Sequence, residues 1–213
     1  MANRTALVIA GNGTNCERET AFACREAGFE QVRIAPIWDL LAGDVHIRDA
    51  QLLCLPGGFA DGDDLGAARA SANRVRHAPI AGGTKRLWDD LREFVGAGRL
   101  ILGICNGFQL LVKLGLLPGF VPAAEQSVSL AHNDSGRFED RWVHLRADAQ
   151  SPCVFTRGLQ RLALPVRHGE GKLVVPEGGE WARMEREHLV ALRYVEPRGD
   201  EPTLRYLANP NGT

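Results

Sequence analysis

The stretch Arg99-Leu100-Ile101-Leu102-Gly103-Ile104-Cys105-Asn106-Gly107-Phe108-Gln109 decides the fold of this chain. An apolar, strand-like run meets a Gly-x-Cys-x-Gly turn, and an amphipathic segment, 108–117, follows. The order is strand, sharp elbow, helix. Glycines two before and two after the elbow residue let the backbone turn where a side chain would clash. The cysteine then stands above a sheet at a helix N-terminus, where the positive end of the helix dipole favours thiolate over thiol. Cys105 therefore reads as a nucleophile. Cys54, inside the apolar run 51–55 and without flanking glycines, reads as a small core hydrophobe.

Upstream, residues 5–10 form a continuously apolar run, the pattern of a buried parallel strand. The loop Gly11-Asn12-Gly13 follows. Thr14-x-x-Glu17 predicts a capping box opening a helix that reaches Gly28. Residues 32–36 and 51–55 predict two more strands, the latter ending in Pro56-Gly57-Gly58-Phe59. Residues 60–83 read as loop plus a short helix, and 84–97 as a helix with Leu87, Trp88, Leu91, Phe94 and Val95 at helical period. Strands alternating with helices imply a parallel sheet covered on both faces. Beyond the elbow, 127–130, 142–145, 162–166, 173–175, 189–195 and 204–207 predict strands with no helix among them. The expected fold is α/β, a three-layer sandwich with a mostly parallel central sheet and a β-rich C-terminal part. Without a linker or repeat, 1–213 reads as a single domain.

Composition narrows the function. The 213 residues are 45% apolar, which excludes overall disorder. A net charge of -1 gives no bulk attraction to nucleic acid or anionic membranes. Of 25 basic residues only Lys85, Lys113 and Lys172 are lysines, a bias attributed to genomic base composition. Five cysteines without a CxxC pair suggest neither a disulfide framework nor a zinc site, so no metal is expected and a cytoplasmic location fits. No segment has the length of a membrane span. Gly82-Gly83-Thr84-Lys85 lacks the first glycine of a phosphate loop. No ATP site is expected in this chain.

In open parallel sheets ligands bind beyond the C-terminal strand ends, where Gly11-Asn12-Gly13, Gly57-Gly58 and Cys105 all fall. A thiolate attacking a carbonyl creates an oxyanion that needs preorganised donors. The Asn106 N–H follows the nucleophile, and Gly57-Gly58 can turn another N–H inward, although Pro-Gly-Gly also makes an ordinary turn. Cysteine catalysis also needs an acid or base. His168-Gly169-Glu170-Gly171 places His168 and Glu170 two apart in a glycine-rich turn, which reads equally as solvated polar residues.

Residues 103–109 resemble the nucleophile motif of class I glutamine amidotransferases. Asn-Gly-Phe after the cysteine resembles the glutaminase components of phosphoribosylformylglycinamidine synthases. So do Gly13-Thr14-Asn15-Cys16-Glu17, residues 55–63, Asn133 to Glu139 with Arg141-Trp142-Val143, His168 to Gly171, and Asn209-Pro210-Asn211-Gly212. These matches are collinear across nearly the whole chain. The resemblance implies glutamine hydrolysis through a Cys105 γ-glutamyl thioester. The ammonia passes to a synthetase subunit that uses ATP and Mg to make the formylglycinamidine ribonucleotide of purine biosynthesis. It implies Gly58 and Asn106 as oxyanion donors and Gly57, Gln109 and His168 near the glutamine. Asn133 to Trp142 serve either the site or the partner interface. Some such systems add a small accessory subunit. No cofactor, nucleic acid or membrane is implied for this chain.

The family's catalytic His and Glu lie in a His-Pro-Glu motif beyond Asn-Pro-Asn-Gly, and residues 1–213 contain no such motif. The domain is therefore expected to continue past Thr213, and the base role is not transferred to His168. The alternative is an inactive amidotransferase-like module that docks on a synthetase and regulates it.

Overall fold

The computed structural model of the protein describes residues 4–120 and 125–213. It divides into two compact units, Met1–Leu114 and Gly115–Thr213.

The first unit runs β1 (Thr5–Ala10), α1 (Glu17–Glu26), β2 (Gln31–Pro36), α2 (Ile37–Ala42), β3 (Leu52–Leu55), α3 (Arg69–His77), α4 (Leu87–Gly96), β4 (Leu100–Gly103) and α5 (Asn106–Lys113). The four strands pair in parallel in the order β2-β1-β3-β4. Every residue of β3 is buried, which explains its unbroken apolar run. Side chains alternate across the sheet. Ala6, Val8, Leu52 and Cys54 cluster with Ala21 and Cys24 of α1 on one face. Leu7, Leu53 and Leu55 are one residue out of phase and also buried. Their face is covered by α5, where Leu55 meets Gly107. Helices on both faces make the three-layer α/β sandwich. The strand order reverses between β1 and β3, so a crevice opens beyond their C-terminal ends.

Two local expectations are corrected. The predicted box at Thr14 does not form. Cys16 is the N-cap of α1, at φ 66° and without a side-chain cap bond. Thr14 instead bridges Gly58 in an antiparallel pair, so a long-range contact takes the residue from the helix end. The reach-back half of such a box does open α4, where the Arg86 N–H donates to Asp89 Oδ2 at 3.0 Å. The Arg86 side chain adds further bonds, and together they hold the Asp89 carboxyl down at about 2. Helix α2 was not foreseen; six residues directly after a strand carry no readable period.

The second unit holds β5 (Ser129–Ala131), β6 (Glu139–Ala147), β7 (Arg161–His168), β8 (Lys172–Val174), α6 (Glu180–Arg186) and β9 (Leu192–Val195). Strands β7-β6-β9 form one antiparallel sheet and β5-β8 another. The unit is β-rich, with two departures. Residues 204–207 form loop and turn rather than a strand. Tyr206 there is anchored by its side chain. Its hydroxyl donates to buried Glu139 at 3.1 Å, and the Arg141 guanidinium lies 4.9 Å over its ring. Helix α6 buries a single residue, Met184, too little to leave an apolar stripe. Among the described residues, no helix is long and apolar enough to cross a membrane.

Candidate active site

The elbow is built around one strained residue. Cys105, the N-cap of α5, has φ 54° and ψ -112°, a conformation that costs a side-chain-bearing residue about 1–3 kcal/mol. Neighbouring bonds hold it there: Ile104 N–H to Leu55 O at 3.0 Å, Gly107 N–H to Ile104 O at 2.9 Å, and Gln109 N–H to Cys105 O at 3.0 Å. The flanking glycines supply space. A Cβ on Gly103 would lie 2.7 Å from Gly107 O, and one on Gly107 would lie 2.6 Å from Leu55 C. Strand β3, strand β4 and helix α5 can meet this closely only without those side chains. The Cys105 thiol is exposed above them.

The loop after β3 runs beside the cysteine. A Cβ on Gly57 would stand 3.8 Å from Cys105 Sγ. This loop is laced to the loop after β1 by three backbone bonds. Asn15 N–H donates to Gly57 O, Phe59 N–H to Gly13 O and Asp61 N–H to Asn12 O, each at 2.8 Å. The first two flank the Thr14–Gly58 bridge. In such a pair the bridged residues turn their own N–H groups away from each other. The Gly58 N–H therefore faces away from the β1 loop. Gly58 sits at φ 116°, and a Cβ on it would run into Gly13 O and would lie 2.6 Å from Asn15 N, so only glycine fits. The Asn106 N–H is the first of the unpaired donors that open α5.

The Asn106 side chain is nearly fully buried, 3% exposed. Its Oδ1 accepts from the Ala60 N–H at 3.3 Å, and its Nδ2 donates to Gln109 Oε1 at 3.2 Å. Ala60 is also held through its carbonyl, which accepts from Ser71 Oγ at 3.0 Å. The structure thus brings Gly57, Gly58, Cys105, Asn106 and Gln109 together in the first unit. The side-chain role of Asn106 was missed in the sequence, where only its N–H was assigned.

His168 belongs to the second unit, at the end of β7. Its Nδ1 lies 3.0 Å from Asn133 Oδ1, which also accepts from the Gly171 N–H at 3.2 Å. Asn133 Nδ2 donates to His168 O at 2.9 Å and Arg137 O at 3.0 Å. Burial pushes the His168 imidazole below its ordinary value of 6.5. Behind this turn, Asn211 Nδ2 donates to Gly171 O at 2.7 Å. Asn133 and Asn211 therefore both brace the His168 turn. Spacing alone gave no sign of it, since the partners lie 35 to 40 residues apart. Among the described residues, no cluster of His, Cys, Asp and Glu has the arrangement of a metal site.

Doubly wound sheet, nucleophile elbow and glycine-rich donor loop together define a class of protein, and the CobB/CobQ-like glutamine amidotransferase domain family matches residues 3–213. A relative from Dehalococcoides mccartyi is 42% identical over 100% of this chain and 77% of its own length. One from Methanococcus maripaludis is 40% identical over 97% of this chain and 73% of its own length. Both are called phosphoribosylformylglycinamidine synthase subunit PurQ. A solved structure, that of PurLQS from Thermotoga maritima, covers 91% of this chain and 76% of its matching chain at 27% identity, with a TM-score of 0.66. A glutamine amidotransferase from the same organism shares the fold at 18% identity and TM-score 0.50, covering 83% of this chain and 65% of its own. The chain belongs to the PurQ family of glutamine amidotransferase subunits.

Proposed function

We propose that this chain is the glutaminase subunit of a phosphoribosylformylglycinamidine synthase, with Cys105 as its nucleophile. The observation that carries the reading is the strained, exposed Cys105 beside the Gly57-Gly58 loop. Attack of the thiolate on the glutamine amide carbon forms a C–S bond and moves the carbonyl π pair onto oxygen. The N–H groups of Gly58 and Asn106 stabilise that oxyanion, the kind of contact worth about 10²–10³ in rate. Collapse of the adduct breaks the C–N bond as the proton given up by the Cys105 thiol is delivered to the leaving nitrogen, which releases ammonia and leaves a γ-glutamyl thioester. Water then cleaves the thioester to glutamate and the free thiol. Gln109 and Gly57 border the bound glutamine. For His168 the substrate-binding role rests on the family resemblance and on the acceptor its Nε2 offers. The acid–base role is assigned to none of the described residues.

Ammonia made here is consumed by a synthetase subunit, which holds the ATP and Mg; a small accessory subunit completes some assemblies. The PurQ relatives are named as subunits of such a synthase, which supports this reading. We place the protein in the cytoplasm, where exposed free thiols such as Cys16 and Cys105 persist. The test is Cys105→Ala in the full-length protein assembled with its synthetase partner. Ammonia release from glutamine should vanish, while synthesis driven by added ammonium salts continues. Retained glutamine turnover would overturn the assignment.

A further inference from the structure

We propose that the Asn106 side chain is a positioning residue that sets the distance between the two oxyanion donors. The inference rests on the reading of Cys105 as nucleophile. One donor, the Asn106 N–H, is fixed by α5. The other, the Gly58 N–H, rides on a loop whose backbone bonds run to the opposite side. Asn15, Gly13 and Asn12 of the β1 loop hold Gly57, Phe59 and Asp61. The N–H groups of Phe59 and Asp61 face that loop. The Ala60 N–H, between them in sequence, points the other way and donates to Asn106 Oδ1 at 3.3 Å. The side chain of one donor residue thus grips the loop that carries the other.

Three features make this grip specific. Asn106 Nδ2 donates to Gln109 Oε1, which commits the amide's nitrogen to α5 and its oxygen to Ala60. Ser71 Oγ lies 3.0 Å from the Ala60 carbonyl oxygen and 2.7 Å from Asp61 Oδ2 and shares its one proton between these two acceptors, so Ala60 is held through both its N–H and its C=O. Asn106 is 3% exposed, which keeps water from competing for the bond. An apolar side chain of similar size would fill the space and release the loop.

The test separates chemistry that needs an oxyanion from chemistry that does not. Glutamine hydrolysis passes through an oxyanion; alkylation of Cys105 by iodoacetamide is a direct displacement and does not. In the full-length complex, Asn106→Leu should lower kcat for glutamine about 10²-fold, the scale of losing one oxyanion donor, with KM changed less than about threefold. Its Cys105 alkylation rate should stay near wild type. Asn106→Asp keeps the acceptor for the Ala60 N–H. Relative to its own alkylation rate, it should recover at least about tenfold of the lost turnover. Equal losses in hydrolysis and alkylation would overturn the inference, because the side chain would then serve the thiol or the fold. So would unchanged hydrolysis in Asn106→Leu, or Asp no better than Leu. Cys105→Ala run alongside keeps the two readings apart. Activity in that variant sinks the nucleophile assignment, whereas unchanged activity in Asn106→Leu with Cys105→Ala inactive sinks only the positioning role.

Discussion

Asn133 Oδ1 accepts a hydrogen bond from His168 Nδ1 across 3.0 Å, and the surrounding bonds leave no other assignment. The Asn133 nitrogen is committed to two carbonyls, those of Arg137 and His168, and its oxygen receives the Gly171 N–H. An oxygen there can only accept, so the His168 proton sits on Nδ1 and Nε2 carries the lone pair. Nitrogen-15 NMR of the imidazole should report this tautomer at pH 8. A proton found on Nε2 would contradict it.

The same burial sets a pH dependence. The folded-state value of His168 lies below its ordinary 6.5, so the unfolded chain takes up the proton first as pH falls. Stability from this site is complete above about pH 6.5 and declines below it, levelling off once the folded form is protonated too. Thermal melting between pH 7.5 and 5 should show a smaller acid loss in His168→Gln than in wild type. Identical slopes would exclude the group as a contributor.

Asn133→Ala removes a buried side chain and several hydrogen bonds at once. The carbonyls of Arg137 and His168 and the Gly171 N–H all lose their bond. The cost should be about 2–4 kcal/mol in urea denaturation. A loss under 1 kcal/mol would mean that water replaces the amide.

Gly107→Ala places a methyl group against the backbone of β3, 2.6 Å from Leu55 C. Neither α5 nor a central strand can yield freely, so the variant should lose about 3 kcal/mol or fail to fold. Chemical denaturation reads the effect. Wild-type stability would mean that the elbow is looser than the packing implies.

Thiol accessibility should follow burial. Cys24 and Cys54 lie 3.7 Å apart in the core, and burial pushes the Cys54 thiol far above its ordinary range. A maleimide at pH 7.5 should label Cys105 and Cys16 in the native protein and spare Cys24 and Cys54 until denaturant is added. Native labelling of Cys54 would contradict the packing of α1 on β3.

Much of the first unit was legible because its signals are local. Unbroken apolar runs marked β1 and β3, and a Gly-x-Cys-x-Gly turn between strand and helix marked the elbow. What stayed hidden depends on contacts far apart in sequence. Thr14 reads as a helix cap, yet it pairs with Gly58, 44 residues on. Residues 204–207 look like a strand, yet Tyr206 is there to meet Glu139. The Asn106 side chain carries no mark of its reach to Ala60. Asn133 and Asn211 stood in recognisable motifs, but only the fold shows that both brace the turn of His168.

The most direct test of the central claim is mass spectrometry of the protein after incubation with an electrophilic glutamine analogue, followed by peptide mapping. The account predicts a single adduct, on Cys105, that excess glutamine prevents. An adduct on another cysteine, or one on Cys105 that glutamine leaves undiminished, would contradict it.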